Sequence, residues 1–287
     1  MTSPGPVRRW VLAARIRTLP AAAVPVALGA TLAGGGVNVL RTFLSLMVAL
    51  SLQIATNYAN DYSDGIRGTD EQRVGPFRIT ASGLVPATTV RTMALGFFAT
   101  AALAGLVLAL LSSLWLIPIG VAAVLAGWFY TGGPRPYGYL GLGELFVLVF
   151  FGFVATVGTA YVQHDHIPKG AWWWGLAAGS MACALLEANN LRDIAGDRVA
   201  GKRTLAARLG RRAGGWLYVV WVATTALGAA YGGLPLVGAV AIVAYIPALQ
   251  IALSHKEGRE LLPLLQSSAR AQLVVGATGT LLLALTR

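Results

Sequence analysis

Long apolar stretches separated by short polar segments run through almost the whole chain. Nine of these stretches lie near residues 11–33, 40–59, 93–112, 114–130, 144–162, 171–188, 215–231, 234–253 and 268–285. A helix of about 20 predominantly apolar residues crosses the hydrocarbon core of a bilayer. The pattern therefore predicts an all-α polytopic membrane protein with nine transmembrane helices, in which residues 1–287 form a single transmembrane domain.

Composition and charge strengthen this interpretation. Hydrophobic residues make up 56% of the chain and charged residues only 11%, whereas a soluble domain carries about 25% charged residues. This balance excludes an ordinary soluble domain and an intrinsically disordered chain. The single cysteine, Cys183, excludes an intrachain disulfide framework.

The basic residues also predict an orientation. Of the 22 lysines and arginines, only Arg41, Lys169 and Arg287 fall on one side of the nine predicted spans, so the other side carries 19. The positive-inside rule then puts the N-terminus and the loops 62–91, 131–143, 189–214 and 254–267 in the cytoplasm. The net charge of +11 therefore reflects topology and attraction to anionic lipid headgroups, and it does not call for a nucleic-acid partner.

The acidic residues are concentrated at the predicted cytoplasmic ends of two spans. Seven of the eleven lie in segments 57–71 and 187–197, which follow the second and the sixth apolar stretch. Both segments contain the pattern N-[DN]-x-x-D, which begins at Asn60 and at Asn189. Asp197 continues the second copy, whereas Gly68 occupies the equivalent place in the first. Residues four apart share one face of a helix, so each copy predicts a polar face.

This pattern predicts a metal–diphosphate site. Carboxylate and amide oxygens suit Mg²⁺, which typically binds carboxylates together with substrate phosphates. Neighbouring cations are suited to grip phosphate oxygens. The predicted metal ligands are Asn60, Asp64, Asp70, Asn189, Asp193 and Asp197. The predicted diphosphate contacts are Arg78, Lys202 and Arg203, with Arg67 and Arg192 nearby.

At these residues the chain resembles the UbiA superfamily of intramembrane aromatic prenyltransferases, and within it the 1,4-dihydroxy-2-naphthoate polyprenyltransferases of menaquinone biosynthesis. The resemblance rests on NYANDYSDGIRGTD (57–70), GPFRITASGLVP (75–86), YTGGPRPYGYLGLGE (130–144) and NNLRDIAGDRVAGKRTLAARLG (189–210). It extends through about residue 210. Gly68 stands where many relatives have a third aspartate, and Pro134 stands where some have a lysine.

The resemblance implies nine helices around a central cavity in the bacterial cytoplasmic (inner) membrane, with cytoplasmic loops as a cap. It implies Mg²⁺-dependent transfer of a polyprenyl group from polyprenyl diphosphate to 1,4-dihydroxy-2-naphthoate, with loss of CO₂ and diphosphate, giving demethylmenaquinone. The implied catalytic residues are Asp61, Asp64, Asp193 and Asp197, although Asp61 and Asp70 are equally open as ligands, as neighbours of ligands or as acid–base groups. The implied substrate-binding residues are Asn57, Tyr62, Arg67, Arg78, Tyr130, Tyr139, Asn190, Lys202 and Arg203.

Three other functions remain open from the sequence. The same chemistry fits another acceptor, such as a hydroxybenzoate, homogentisate, a haem or a sugar. A phosphatidyl-type alcohol transferase also uses clustered aspartates and Mg²⁺, but Asp64-Gly65 continues as Ile-Arg-Gly and lacks the D-G-x-x-A-R opening. An ion-coupled transporter would need acids near the membrane midplane, whereas these lie at helix ends. The oligomeric state is also left open.

Overall fold

The computed structural model describes residues 5–69 and 77–287, and within them it is built from helices, turns and loops without a β-strand. The α-helices are α1 (Pro6–Ala13), α2 (Pro20–Leu32), α3 (Val39–Ile66), α4 (Ala87–Leu111), α5 (Leu116–Phe129), α6 (Gly143–Val147), α7 (Gly158–His164), α8 (Ala171–Val199), α9 (Leu205–Tyr231), α10 (Pro235–Ala252) and α11 (Leu262–Thr286). Short 3₁₀ turns occupy Ile16–Thr18, Tyr137–Leu140 and Gly258–Leu261. A π-helix, Leu148–Val157, joins α6 to α7.

The all-helical prediction is confirmed, but the count of nine membrane spans is not. In the described residues, six helices are long and apolar enough to cross a membrane, or seven if the pair around Arg15 forms one span. That pair, Pro6–Thr18 and Pro20–Leu32, is bent by 50°. The fourth predicted span is α5, which has only 14 residues. The sixth predicted span is α8, which is not among the six helices. Its 29 residues include three tryptophans and the second polar motif, and these lower its hydropathy.

Local signals explain several helix boundaries. The side chain of Asn38 caps α3 by accepting a hydrogen bond from the backbone N–H of Arg41, and Thr204 caps α9 in the same way through Ala207. Pro20 and Pro235 begin α2 and α10, where the missing N–H has no helical partner to lose. Arg15 has a positive φ of 52°, which interrupts the helical conformation between α1 and α2.

Helix α8 lies at the centre of the largest hydrophobic core. Trp174 and Met181 are fully buried there, and the helix packs against α9 and against the π-helix. Gly152 of the π-helix lies so close to α8 that an added Cβ would come within 2.5 Å of the carbonyl oxygen of Gly175. The pair Gly175 and Gly179, four residues apart, supplies the small surface that such an approach needs. The second polar motif therefore lies on a tightly held helix.

Helices α3 and α8 both end at the same end of the bundle, which we call the motif end. The loops before α4 and α6 and the loop after α8 lie there too, because successive helices run in alternating directions. The opposite end carries the connections between α2 and α3, between α4 and α5, and between α7 and α8.

Candidate active site

A cavity of about 1420 Å³ opens between the helices and brings the two polar motifs together. Asn60 and Asp64 of α3 line it at the motif end, together with Asn189, Asn190 and Asp197 of α8. Further along, the walls become apolar and aromatic, and they include Phe150 and Phe153 of the π-helix and Trp115 and Trp172 near the opposite end. The cavity therefore joins a polar head region to a long apolar region.

Among the described residues, Asp64 contacts side chains from three separate segments. The hydroxyl of Tyr139 donates a hydrogen bond to Asp64 Oδ1 at 2.6 Å. The Nζ atom of Lys202 donates to Oδ2 at 3.1 Å, and Nη2 of Arg78 lies 3.8 Å from that oxygen. Asp64 and Lys202 are nearly fully buried. The end of α3 is thus connected to the loops before α4 and α6 and to the loop after α8.

Tyr139 supports these contacts in two ways. Burial, and then the neighbouring Asp64 carboxylate, raise the pKa of its phenol, so the phenol stays protonated and donates. Its ring also faces cations, because Lys202 Nζ lies 4.6 Å and Arg67 Cζ 5.7 Å from the ring centroid. Arg67 itself donates to the carbonyl oxygens of Thr131 and Gly133. It thereby fixes the beginning of the loop that carries Tyr139.

The acidic residues of the second motif are held by their own neighbours in sequence. Arg192 donates from Nε and Nη2 to the two carboxylate oxygens of Asp193, at 2.8 and 2.7 Å. Thr204 donates to Asp197 Oδ2 at 3.3 Å, and the backbone N–H of Lys202 donates to the carbonyl of Asp197 at 2.7 Å. The loop after α8 therefore folds back onto the helix end, and this return directs Lys202 towards Asp64.

The amide side chains of the site make contacts of different kinds. Asn60 accepts a hydrogen bond from the hydroxyl of Thr131 at 2.7 Å. Asn57 donates to the carbonyl of Ala14 at 2.9 Å, which ties α3 to the break between α1 and α2. Asn190 donates to Glu144 Oε1 at 2.9 Å, and Asn189 donates to the carbonyl of Leu185 within its own helix.

The predicted site residues thus fall into three groups. Those that line the cavity are Asn57, Asn60, Asp64, Arg78, Tyr130, Tyr139, Asn189, Asn190, Arg192, Asp197 and Lys202. Those that lie outside the described cavity wall are Asp61, Tyr62, Arg67, Asp193 and Arg203. Asp61 is fully buried and accepts the backbone N–H groups of Ile79 and Thr80. Asp70 lies outside the described residues.

The chemistry of these oxygen donors fits a hard divalent cation. Asp64 and Asp197 offer carboxylates, and Asn60 and Asn189 offer amide oxygens on the same cavity. Within residues 5–69 and 77–287, no three His, Cys, Asp or Glu side chains form a compact metal cluster. The possible metal ligands are thus a few carboxylates and amides. Such a set leaves coordination positions on the metal for phosphate oxygens, unlike a cage made only of protein ligands.

Sequence reasoning missed one residue that lines the cavity and one that is buried behind a lining residue. Arg15 lines the cavity from the break between α1 and α2. Glu144 is buried behind Asn190 at the start of α6. Their common signal is a charged residue inside or beside an apolar stretch, since such residues are costly in a membrane and normally face the protein interior.

Comparisons with known proteins point to one family. The model of the UbiA prenyltransferase family matches residues 22–262. The 1,4-dihydroxy-2-naphthoate octaprenyltransferase of Mycobacterium tuberculosis (strain H37Rv) is 46% identical over 274 residues, which cover 93% of each chain. The enzyme of the same name from Escherichia coli K12 is 37% identical over 210 residues, which cover 70% of this chain and 68% of that one.

Two solved structures share the fold at low sequence identity. A UbiA homologue from Archaeoglobus fulgidus bound to GPP and Mg²⁺ has a TM-score of 0.67 at 14% identity, covering 95% of this chain and 99% of that one. The apo structure of a UbiA homologue from Aeropyrum pernix K1 has a TM-score of 0.70 at 17% identity, covering 92% and 97%.

Proposed function

The chain belongs to the UbiA prenyltransferase family, and from this premise we propose that it transfers a polyprenyl group from polyprenyl diphosphate to 1,4-dihydroxy-2-naphthoate. CO₂ and diphosphate leave, and the product is demethylmenaquinone in its reduced form. The observation that carries the proposal is the convergence of both polar motifs on one cavity whose remaining length is apolar. Relatives that bear the name of this acceptor support its identity.

The cavity suits the two parts of the donor. A diphosphate needs cations and metal, which the motif end offers through Arg78, Lys202 and the carboxylates. A polyprenyl tail is soluble only in apolar surroundings, which the π-helix and the aromatic residues beyond it provide. We assign the motif end to the cytoplasmic side of a bacterial inner membrane, because the loops there carry most of the basic residues.

A bound Mg²⁺ would be held by Asn60, Asp64, Asn189 and Asp197, which line the cavity, with Asp70 as a further ligand on sequence grounds. Asp193 would join them only by exchanging Arg192, which donates to both its carboxylate oxygens, for the metal. The metal would supply positive charge against the negative charge that develops on the departing diphosphate. Arg78 and Lys202 would hold the phosphate oxygens from the loops, and Arg67 and Arg203 would keep the Tyr139 loop in place. For Arg203 this role follows from the bond between its backbone N–H and the carbonyl of Tyr139, at 2.8 Å.

The reaction itself requires little proton transfer. The allylic carbon–oxygen bond breaks, and its electron pair leaves with the diphosphate. The ring carbon that bears the carboxylate forms the new carbon–carbon bond, and loss of CO₂ returns an electron pair to the ring. Because CO₂ leaves instead of a proton, the site needs no strong base at that carbon. The protein must instead exclude water and stabilise the allylic cation, for which the ring of Tyr130 is suited, because the ring of Tyr139 already faces Lys202 and Arg67.

The acceptor can approach along the cavity wall, to which α3 contributes Asn57 and α8 contributes Asn190. Both amides line the cavity close to the metal-binding positions of their own helices. They are suited to accept or donate hydrogen bonds to the two ring hydroxyls of a naphthoate. Tyr62 lies outside this wall, with its ring centroid 6.4 Å from that of Trp128, and we assign it to packing around α5.

One assay tests the proposal. Membranes containing the full chain are incubated with Mg²⁺, a labelled polyprenyl diphosphate and a panel of aromatic acids, and the lipid products are identified by mass. We expect the prenylated naphthohydroquinone and one CO₂ for each product molecule when the naphthoate carries a labelled carboxyl group. A product formed only from a hydroxybenzoate or homogentisate would contradict the acceptor, and no prenylated product from any acid would contradict the reaction.

A further inference from the structure

The second position of the repeated motif differs between the two copies. Asp61 and Asn190 occupy equivalent places in N-[DN]-x-x-D, one with a carboxylate and the other with an amide. The positions assigned to metal do not show such a difference, because the first residue of the motif is asparagine in both copies and the last is aspartate in both. The contacts of these two side chains indicate a different role.

Asp61 holds the loop that precedes α4. Its two carboxylate oxygens accept the backbone N–H groups of Ile79 at 3.0 Å and Thr80 at 2.9 Å. These groups directly follow Arg78, whose guanidinium approaches Asp64. The same loop lies so close to α3 that a Cβ added to Gly65 would come within 2.5 Å of the Thr80 side chain. Asp61 thus anchors the segment that brings Arg78 to the cavity.

Asn190 makes the corresponding contact on α8. Its amide nitrogen donates to Glu144 Oε1 at 2.9 Å. Glu144 is the second residue of α6, and the loop that precedes α6 carries Tyr139 to Asp64. Both partners are buried. The contact therefore fixes the end of the Tyr139 loop, and it turns the remaining amide oxygen of Asn190 away from Glu144.

We propose that Asp61 and Asn190 are positioning residues, which anchor the loops that deliver Arg78 and Tyr139 to Asp64, and that the partner of each sets its chemistry. Backbone N–H groups need an acceptor, so Asp61 is a carboxylate. A glutamate oxygen needs a donor, so its counterpart is an amide. The kinetic part of this inference rests on the proposed prenyl transfer.

The first test is a double-mutant cycle between Asp61 and Arg78. Asp61→Asn replaces one acceptor by a donor that faces a backbone N–H. We expect it to raise the KM for the polyprenyl diphosphate about tenfold without changing the KM for the aromatic acid. In an Arg78→Ala background the same change should have an effect of less than about twofold, because the loop no longer carries the cation. Equal losses in both backgrounds would overturn the role of Asp61.

The second test exchanges the two partners on α8 and α6. Asn190→Asp alone sets two acidic side chains against each other, and we expect turnover to fall about tenfold. Combining it with Glu144→Gln restores one donor and one acceptor with their roles reversed, so most of the turnover should return. Failure of the double variant to recover, when it is present in the membrane at the wild-type amount, would overturn the role of Asn190.

Matched controls lie at the opposite end of the bundle. Asp165→Asn repeats the chemical change of Asp61→Asn on an exposed loop. Asn38→Asp repeats that of Asn190→Asp at a helix cap, where both residues are good caps. Both controls should retain the wild-type KM values.

A third readout needs no turnover. In the purified full chain in detergent, trypsin should cut slowly after Arg78, whose side chain is only 7% exposed. Asp61→Asn should accelerate this cleavage several-fold, and Asp165→Asn should not. Unchanged cleavage in Asp61→Asn would overturn the anchoring role even if the chain transfers no prenyl group. Failure of the inference is thereby separated from failure of the proposed function.

Discussion

The two ends of the bundle both concentrate polar residues, but they use them differently. At the opposite end, Arg41 donates to the backbone carbonyls of Val162 at 2.6 Å and Leu111 at 2.5 Å, and it pairs with Asp165 at 3.2 Å. The hydroxyl of Ser112 also donates to Asp165. This hydroxyl and the Arg41 guanidinium hold the pKa of the Asp165 carboxyl below its ordinary value. Arg41 thus joins three connections between helices.

At the motif end, the partners of Asp64 are side chains from loops that line a cavity. Polar groups within a membrane need partners, and both ends supply them. The difference is that Arg41 is held by backbone carbonyls, whereas Lys202 and Arg78 extend from loops to a carboxylate that lines the cavity. Under the proposed function, Lys202 and Arg78 would exchange Asp64 for a phosphate oxygen, so the motif end would bind substrate and the opposite end would hold the helices together. Variants at the two ends should then have opposite effects on stability and turnover.

The largest expected effect is at Asp64. Asp64→Ala removes the carboxylate that three segments share, and we expect kcat/KM for prenyl transfer to fall about a thousandfold. The protein should still insert in the membrane, which an immunoblot of washed membranes checks. Asp165→Ala, the same change at the opposite end, should retain nearly full transfer. Comparable losses in the two variants would remove the distinction between the ends.

Removal of divalent metal should also reduce prenyl transfer, because the proposed metal site lies at the motif end. Excess chelator should lower prenyl transfer about a hundredfold or more, and added Mg²⁺ should restore it better than Ca²⁺, which prefers more ligands and longer bonds. The chelator should change the thermal unfolding temperature of the substrate-free protein little, because the contacts that hold the opposite end together are hydrogen bonds between protein groups and involve no metal. Undiminished turnover in excess chelator would contradict a metal site.

Lys202 should have a smaller effect that divides between binding and chemistry. Lys202→Met keeps the length of the side chain and removes the ammonium, so the KM for the polyprenyl diphosphate should rise about tenfold. The KM for the aromatic acid should not change. Steady-state kinetics with each substrate varied in turn measures the difference, and an increase in the acceptor KM alone would place Lys202 in another subsite.

A substitution at Gly65 tests the contact between α3 and the Arg78 loop without removing a polar group of the site. An added Cβ would meet the β-branched Thr80 at 2.5 Å, so Gly65→Ala should displace the Arg78 loop and reduce transfer about fivefold. Gly96→Ala is the matched change in α4, where no described heavy atom lies within 4 Å of the added Cβ. That control should retain full transfer. Equal activity of the two variants would show that the loop tolerates displacement.

Arg41 should have the smallest effect on transfer. Arg41→Ala removes hydrogen bonds to Val162 and Leu111, and we expect the free energy of unfolding to fall by about 1–3 kcal/mol while kcat/KM changes less than twofold. Thermal unfolding and the prenyl-transfer assay on the same preparation check the pair of results. A large loss of transfer at unchanged stability would contradict the structural role of this end.

The sequence predicted the local features of this molecule. Helix length and a spacing of four residues are properties of one segment, so they sufficed to place Asn60 with Asp64 and Asp193 with Asp197 on polar helix ends. The clustering of basic residues indicated that these ends face the same side. The number of spans was harder to predict, because α5 has 14 residues and α1 and α2 are bent at Arg15.

The contacts between segments were not predictable in this way. The bond between Tyr139 and Asp64 joins residues 75 positions apart, and the bond between Glu144 and Asn190 joins residues 46 apart. Both depend on the path of a loop, which hydrophobic periodicity does not encode. Asp61 illustrates the limit, because the family resemblance left its role open between ligand, neighbour of ligands and acid–base group, whereas its carboxylate accepts the backbone N–H groups of Ile79 and Thr80.

The most direct test of the central claim is a cryo-electron microscopy structure of the full chain with Mg²⁺ and a prenyl thiolodiphosphate, a donor analogue that resists ionisation. We expect diphosphate density between the ends of α3 and α8, within contact of Lys202 and Arg78, with the tail directed along the π-helix. Density for the diphosphate at the opposite end, or outside the cavity that both motifs line, would contradict that claim.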